Sequence, residues 1–341
     1  MKPWTLLLMS GFLWAMLGIG HAAPLLPDAE WRSYKTSFIS PDGRVIDMGN
    51  QGVSHSEGQG YGMLLALVTE DRATFESLWE WTRKNLQRDD RLFGWRWAPD
   101  SNPPVQDWNN ATDGDLLIAW ALARAGERWQ RPEWVAEARI IAQRVRATLI
   151  PSTAFGPVIL PGQEGFKEGE NLTLNPSYWV FPAFKTLARI DPDPVWQALP
   201  KSGLSLLALT RYGPHQLPPD WVILHADGHL GLPSDPAKRR FGYEAIRLPL
   251  YLCWAGLKDP VLMQGFLHAW PTDDAPAWVD LANDDRAAYP LGLAQRSVRH
   301  AVSGCLGKAS GARPGIDPND YYGSTLALFA QLILTRPEAL P

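Results

Sequence analysis

The spacing of apolar residues is the feature of this sequence that most restricts its fold. Eleven segments have the three-to-four-residue apolar spacing of amphipathic helices, and the alternating pattern of strands is scarce. Turn signals such as Asp-Pro pairs separate the segments, and Asp71 is expected to cap the third helix. The predicted helices are 28–39, 60–69, 72–87, 113–125, 132–150, 176–190, 194–210, 242–257, 260–270, 293–306 and 320–334. An all-α solenoid or a closed helical toroid fits this pattern.

Three long stretches between these helices are rich in Pro, Gly and Trp and are candidate binding loops. They span residues 88–111, 151–175 and 212–241. Nothing in the chain resembles a linker, so we expect one domain over residues 23–341, with the loops on one face forming a groove. The net charge is −4, and no basic run is longer than three residues, which argues against nucleic acid as a partner.

The first 22 residues have the composition of a secretory signal peptide. A basic start precedes an uncharged, mostly apolar run over residues 4–19, and small residues suit cleavage after Ala22 or Ala23. The run is shorter than the roughly 20 residues that a membrane-spanning helix needs. We therefore expect a periplasmic or secreted protein with no membrane span in the mature chain.

The two cysteines, Cys253 and Cys305, would meet an oxidising compartment after export. A domain of this size does not need a covalent staple, and cysteines in apolar helical stretches are commonly buried as thiols. We therefore expect two buried free thiols rather than a disulfide.

Carboxylates occur at three points where a loop enters an apolar helix, at Glu57, Asp113 and Glu244. Each has an ordinary structural explanation. The negative charge of Glu57 could be stabilised by the dipole at the start of its helix. Asp113 could cap its helix, and Glu244 could pair with Arg247 one turn later. The Gly-x-Gly-x-Gly spacing beside Glu57 follows no predicted strand and is neither a dinucleotide loop nor a Walker motif. Three such junctions exceed what helix ends require and indicate acid–base chemistry.

Glycoside hydrolysis is a reaction that uses carboxyl groups in this way. One protonated acid serves the leaving oxygen, and a second carboxylate is a nucleophile or a water-activating base. The chain has 17 Trp, and aromatic rings stack on sugar faces. We expect Trp95, Trp97, Trp108, Tyr178 and Trp179 on the loop side of the fold.

These segments closely resemble glycoside hydrolase family 8. Residues from Ala111 to Trp129 follow that family's pattern at every defined position, and Ser-Glu-Gly-Gln-Gly-Tyr-Gly-Met resembles its acid loop. Asn-Pro-Ser-Tyr at 175–178 and Asp-Tyr-Tyr at 320–322 resemble two further blocks, in order. The resemblance implies an (α/α)6 toroid, an inverting mechanism and endo-acting hydrolysis of β-1,4-glucan.

The same resemblance implies roles for the acids. Glu57 corresponds to the general acid, and Asp113 to a residue that binds and distorts the sugar at the cleavage site. Glu244 stands at the position of the base, where the family usually has Asp. The longer side chain would move the carboxylate by about 1 Å, so Asp220 and Asp227 are alternative bases.

Four further residues are expected to bind substrate. Tyr178 corresponds to a tyrosine that places the attacking water, and Trp95 to a stacking residue. Arg247 corresponds to the arginine three residues after the base, and Tyr61 lies in the acid loop.

A metal site, another activity of the same family and a non-catalytic binding role are the alternatives to this function. His225, Asp227 and His229 could bind zinc only on a helix, whereas Gly228 predicts a turn, so neither metal nor cofactor is expected. A chitosanase or xylanase of the same family is the nearest alternative. A non-catalytic glycan-binding protein would use the aromatic rings but would not need three placed acids. The expected partners are cello-oligosaccharide chains and, from the resemblance, the bacterial cellulose synthase complex, with the protein itself a monomer.

Overall fold

All eleven predicted helices are present in the computed structural model, which describes residues 26–257, 259–308 and 312–335. They are α1 (Asp28–Phe38), α2 (Ser56–Val68), α3 (Arg72–Asn85), α4 (Thr112–Arg128), α5 (Pro132–Leu149), α6 (Phe184–Ile190), α7 (Pro194–Leu209), α8 (Arg247–Trp254), α9 (Pro260–Ala269), α10 (Leu293–Cys305) and α11 (Tyr321–Thr335). The signal peptide predicted for residues 1–22 lies outside the described residues.

The helices form two layers that differ in how they are buried. Helices α2, α4, α8 and α11 are buried on nearly every side, which their largely apolar sequences allow. Helices α3, α5, α9 and α10 bury one face and expose the other. An inner layer of buried helices surrounded by outer helices is the arrangement of an (α/α)6 toroid, and the predicted fold class is confirmed.

Two glycines allow the inner helices α2 and α4 to approach closely. A Cβ atom on Gly60 would lie 2.6 Å from Cβ of Leu117, and one on Gly114 would lie 2.8 Å from the backbone nitrogen of Glu57. Both distances are too short for a side chain. The glycine-rich segment thus accommodates a neighbouring helix, and the two helix starts come together.

Several helix boundaries differ from the prediction, and α2 begins at Ser56, four residues earlier than predicted. Residues 176–190 contain two 3₁₀ turns, Pro176–Tyr178 and Phe181–Ala183, before α6 begins. Helix α8 begins at Arg247, five residues later than predicted. Asp113 does not cap α4, because the helix already includes Thr112. The cap predicted at Asp71 is confirmed, since its side chain accepts a hydrogen bond from the backbone N–H of Thr74.

The long loops supply short strands. These are β1 (Ser54–His55), β2 (Arg96–Trp97), β3 (Ser152–Thr153), β4 (Gly156–Pro157), β5 (Lys167–Glu168), β6 (Asn171–Leu174), β7 (Val222–Leu224), β8 (Leu230–Gly231), β9 (Arg240–Phe241) and β10 (Val279–Asp280). An antiparallel sheet in the order β5-β6-β7-β8 joins two of the predicted loops, with Leu172 opposite Leu224. The segment from His225 to His229 is the exposed turn between β7 and β8, as Gly228 predicted.

Cys253 and Cys305 form a disulfide between the ends of α8 and α10, with a Cα–Cα distance of 6.1 Å. The prediction of free thiols was wrong because it considered domain size and not the packing of these two helices against each other. Within the described ranges, no helix is long and apolar enough to cross a membrane.

Candidate active site

The three acids singled out in the sequence meet at one guanidinium group. Nη1 of Arg247 contacts Glu57 and lies 2.9 Å from Oδ2 of Asp113. Nη2 contacts Glu244 and donates to Oγ of Ser177 at 2.8 Å. Arg247 is 190 residues from Glu57 and 134 from Asp113, so this is a long-range cluster and not only a local pair along one helix.

Helix packing places two of these carboxylates. Glu57 and Asp113 lie in the first turns of α2 and α4, which meet at the glycine contacts described above. The Asp113 side chain is 2% exposed, whereas those of Glu57 and Glu244 are 25% and 37% exposed. Glu57 and Glu244 therefore open to the cleft, with Asp113 beneath them.

Glu244 is held differently, on the turn that precedes α8. Its Oε2 accepts from Nδ2 of Asn175 at 3.1 Å and also contacts Arg247. Asn175 is fixed in turn, since its Oδ1 accepts from the hydroxyl of Ser177 at 2.7 Å. The hydroxyl of Tyr322 donates to the carbonyl oxygen of Tyr243 at 2.8 Å.

Asn175, Ser177 and Tyr322 lie in sequence blocks that resemble the family, but no role was predicted for these three residues. The Asn-Pro-Ser-Tyr and Asp-Tyr-Tyr blocks were the available signals. Their contacts join segments far apart in the chain, so spacing alone does not reveal them.

Burial and neighbouring charges change the pKa values of two members of the cluster, Asp113 and Arg247. Burial, reinforced by the charge of Glu57, raises the pKa of Asp113 to about 8 despite the opposing effect of Arg247. Burial tends to lower the pKa of Arg247, but Glu57 and Glu244 outweigh it and raise that pKa well above its usual value. Near neutral pH the carboxyl group of Asp113 therefore stays largely protonated beside the charged guanidinium of Arg247.

An open cavity of about 710 Å³ adjoins the cluster, with Glu57, Glu244 and His55 in its lining. Trp95 stacks near the His55 ring, with centroids 5.9 Å apart, and its Nε1 donates to Asp107 at 3.0 Å. That bond fixes the orientation of the Trp95 ring, as a stacking platform requires.

Tyr178 and Trp221 form a second aromatic group. Their ring centroids are 6.2 Å apart, and the Tyr178 ring lies 5.7 Å from the guanidinium carbon of Arg247. Burial and the charge of Asp113 raise the pKa of Tyr178 well above its usual value, so its hydroxyl stays protonated. Trp221 stacks against Phe166, with centroids 5.8 Å apart, and was not singled out in the sequence.

Three predicted aromatic residues have other positions. Trp179 is fully buried, so it cannot stack on a sugar, and its assignment to the loop surface was wrong. Trp97 packs against Trp81 and under Arg44. Tyr61 lines the cavity but is only 1% exposed, and its hydroxyl is 2.5 Å from that of Tyr251, so it supports the cavity floor.

The alternative bases do not face the cleft as Glu244 does. Asp227 is exposed in the turn between β7 and β8 and bonds to His229 at 2.7 Å. Asp220 is buried, and its Oδ1 already accepts two backbone hydrogen bonds, from Gly242 and Ala245. In the part of the chain that the structure describes, no group of three His, Cys, Asp or Glu side chains is arranged to hold a metal ion.

A helical toroid in which two exposed carboxyl groups open to one cleft, with aromatic rings nearby, is typical of the glycoside hydrolases that use a carboxyl pair. The pattern of glycosyl hydrolases family 8 matches residues 2–336, and the chain belongs to that family.

Similar proteins agree with this membership. A probable endoglucanase from Novacetimonas hansenii is 40% identical over 325 residues, which cover 92% of this chain and 93% of that protein. An endoglucanase from Cellulomonas uda is 38% identical over 277 residues, covering 80% and 77%. The solved structure of an endo-β-1,4-glucanase from Acetobacter xylinum superposes with a TM-score of 0.83 at 38% identity, covering 91% of this chain and 98% of that one.

Proposed function

We propose that this protein is an endo-acting β-1,4-glucanase that hydrolyses cellulose chains with inversion at the anomeric carbon. The observation that carries the proposal is the convergence of Glu57, Asp113 and Glu244 on Arg247 beside an open cleft. Membership of family 8 and the similarity to endoglucanases support the substrate class.

In this proposal Glu57 is the general acid and Glu244 is the general base. Glu57 uses Oε1 for Arg247, so Oε2 remains for the proton that goes to the leaving oxygen. Glu244 uses Oε2 for Asn175 and Arg247, so Oε1 remains to accept a proton from the attacking water. Among the described residues, neither Oε2 of Glu57 nor Oε1 of Glu244 has a hydrogen-bond partner.

Asp113 and the aromatic residues bind the sugar in this mechanism. The buried carboxyl of Asp113, below the two exposed acids, bonds and distorts the ring at the cleavage site. Tyr178 places the water with its protonated hydroxyl, and Trp95 stacks on a neighbouring sugar. Arg247 fixes the relative positions of the acids, and Tyr61 supports the floor below them.

A side-by-side assay tests the substrate. Release of reducing ends from carboxymethylcellulose, xylan and chitosan, with viscosity followed in parallel, separates a glucanase from a xylanase or chitosanase of the same family. We expect the first substrate to be cleaved fastest, with a rapid early fall in viscosity from internal cuts. Binding of carboxymethylcellulose without any turnover would instead identify a glycan-binding protein.

The stereochemistry has its own test. Water attack from the face opposite the leaving group produces the α-anomer first from a β-1,4-glucan, and proton NMR detects it before mutarotation. A β-anomer as first product would contradict the inverting mechanism.

We also propose that the protein is exported after cleavage near Ala22, remains a monomer and assists the bacterial cellulose synthase complex. The sequence of residues 1–22 and the resemblance to family 8 support this proposal. Mass measurement of the exported protein, its size in solution and its co-purification with the synthase test the three statements separately.

A further inference from the structure

A four-residue turn, from Gly242 to Ala245, carries Glu244 and is fixed by a residue of another loop. The backbone N–H groups of Gly242 and Ala245 both donate to Oδ1 of Asp220, at 3.0 and 2.7 Å. The two donors lie on either side of Glu244 in the chain. One carboxyl oxygen therefore determines where the backbone of the proposed base lies.

Asp220 is itself held in place. It is 6% exposed, and its own N–H donates to the carbonyl oxygen of Arg240 at 2.6 Å. The N–H of Trp221 donates to the carbonyl oxygen of Lys238 at 2.9 Å, immediately before β7 begins. Burying a carboxyl group is costly unless it is hydrogen-bonded, and here two backbone N–H groups donate to its Oδ1. The second anchor of the turn is the bond from Tyr322 to Tyr243.

We propose that Asp220 is a positioning residue that holds the Glu244 turn at the depth at which the longer glutamate side chain reaches the catalytic water. This inference rests on the proposed function, in which Glu244 is the base. Asp220 does not serve as the base, because its bonded oxygen faces the turn and its side chain is buried. Displacement of a reacting group by about 1 Å costs on the order of 10²-fold in rate.

Two substitutions separate this role from the alternatives. Asp220→Ala removes the acceptor of both N–H groups and frees the turn. Asp220→Asn keeps an oxygen in the same place and exchanges only the other oxygen for an amide. Burial, with the charge of Glu244 adding to it, raises the pKa of Asp220 to about 8, so the amide resembles the neutral acid present near pH 7.

The experiment measures kcat and KM on carboxymethylcellulose for both variants, with folding checked by circular dichroism. Asp191→Ala is the matched control, because Asp191 is also buried but bonds Arg146 and Trp196, away from the turn. For Asp220→Ala we expect kcat to fall by at least about tenfold while KM changes by less than about twofold. Asp220→Asn should stay within about threefold of the wild type, and folded Asp191→Ala should keep its kcat.

Other outcomes overturn the inference in distinguishable ways. Equal loss in Asp220→Ala and Asp220→Asn would show that the carboxyl group itself is needed, as for a base. Normal turnover in Asp220→Ala, with Glu244→Gln inactive, would remove the positioning role and leave the proposed function intact. Full activity of Glu244→Gln would reject the proposed base and the inference with it. In the double variant Glu244→Gln/Asp220→Ala we expect no loss beyond that of Glu244→Gln alone, because Asp220 acts through Glu244.

Discussion

The acid and the base of the proposed mechanism are positioned in different ways. Glu57 belongs to the first turn of α2, and its backbone position follows from the packing of α2 against α4. Glu244 belongs to a turn before α8, and side chains from distant segments fix it. A packed helix resists displacement through many small contacts, whereas the turn depends on a few hydrogen bonds. The two sides of the cleft should therefore respond differently to substitution.

The largest effect is expected when the acid itself is changed. Glu57→Gln keeps the shape of the side chain and removes its proton, so hydrolysis should fall by about 10²- to 10⁴-fold. Binding of cello-oligosaccharides, measured by calorimetry, should be largely retained. Glu80→Gln is the control, since Glu80 is exposed on α3 and pairs with Arg83, away from the cleft. Turnover near the wild-type rate in Glu57→Gln would show that another group protonates the leaving oxygen.

Shortening the side chain of Glu244 tests how firmly its turn is held. Glu244→Asp keeps the carboxylate but withdraws it by one methylene, and kcat should fall by about 10²-fold because the turn is anchored and cannot follow. Steady-state kinetics on carboxymethylcellulose measure the change. An unchanged kcat would mean that the turn adjusts freely, contrary to its anchoring by Asp220 and Tyr322.

The position of Glu57 depends on the close contact between α2 and α4, so a substitution at that contact is the corresponding test. Gly60→Ala would place a Cβ atom 2.6 Å from Cβ of Leu117, and such overpacking lowers the free energy of unfolding by about 1–3 kcal/mol. Urea unfolding measures this value. Gly315→Ala is the control, because a Cβ atom there would meet no atom of the described residues within 4 Å. Equal stability of the two variants would contradict the close helix approach.

Removing one anchor of the turn should have a smaller effect on catalysis. Tyr322→Phe loses the hydrogen bond to the carbonyl oxygen of Tyr243, worth about 1 kcal/mol, so kcat should fall by about fivefold. Tyr34→Phe is the control, since it loses a buried bond to Thr325 of α11 without touching the turn. A loss of kcat in both variants alike would point to a general weakening of α11.

A further prediction concerns the pH dependence of stability and not catalysis. Asp220 has a pKa of about 8 in the folded chain against 3.8 as its ordinary value, so the unfolded state releases this proton first. Stability from this group is present below about pH 4 and is lost as the pH rises to about 8. Asp220→Asn cannot lose that proton, so its melting temperature relative to the wild type should rise between pH 5 and pH 8. A pH-independent difference would contradict the raised pKa.

The parts of the fold that repeat locally were predictable from the sequence. Helix α4 was expected because its apolar residues follow a helical period, and Asp71 was recognised because capping is a local interaction. The shortened start of α8 was not, because it depends on Asp220, 22 residues before Gly242. The disulfide was missed for the same reason, since 52 residues separate its cysteines.

In the candidate site, too, the residues were predictable from local sequence, whereas their mutual contacts were not. Glu57, Asp113 and Glu244 each stood at the start of a helical segment, and their motifs resembled a known family. Their common contact with Arg247 depends on the closure of the toroid, which no single segment encodes. The burial of Trp179 was missed because a tryptophan in a loop-rich stretch can face either side.

Arg247 also determines what a substrate meets when it enters the cleft. Converging carboxylates repel one another and normally attract cations from solution, divalent ions above all. A buried guanidinium on the same chain serves as a counter-ion that cannot diffuse away. An uncharged glucan therefore does not have to displace an ion before it binds. The rate of hydrolysis should therefore depend little on which salt surrounds the enzyme.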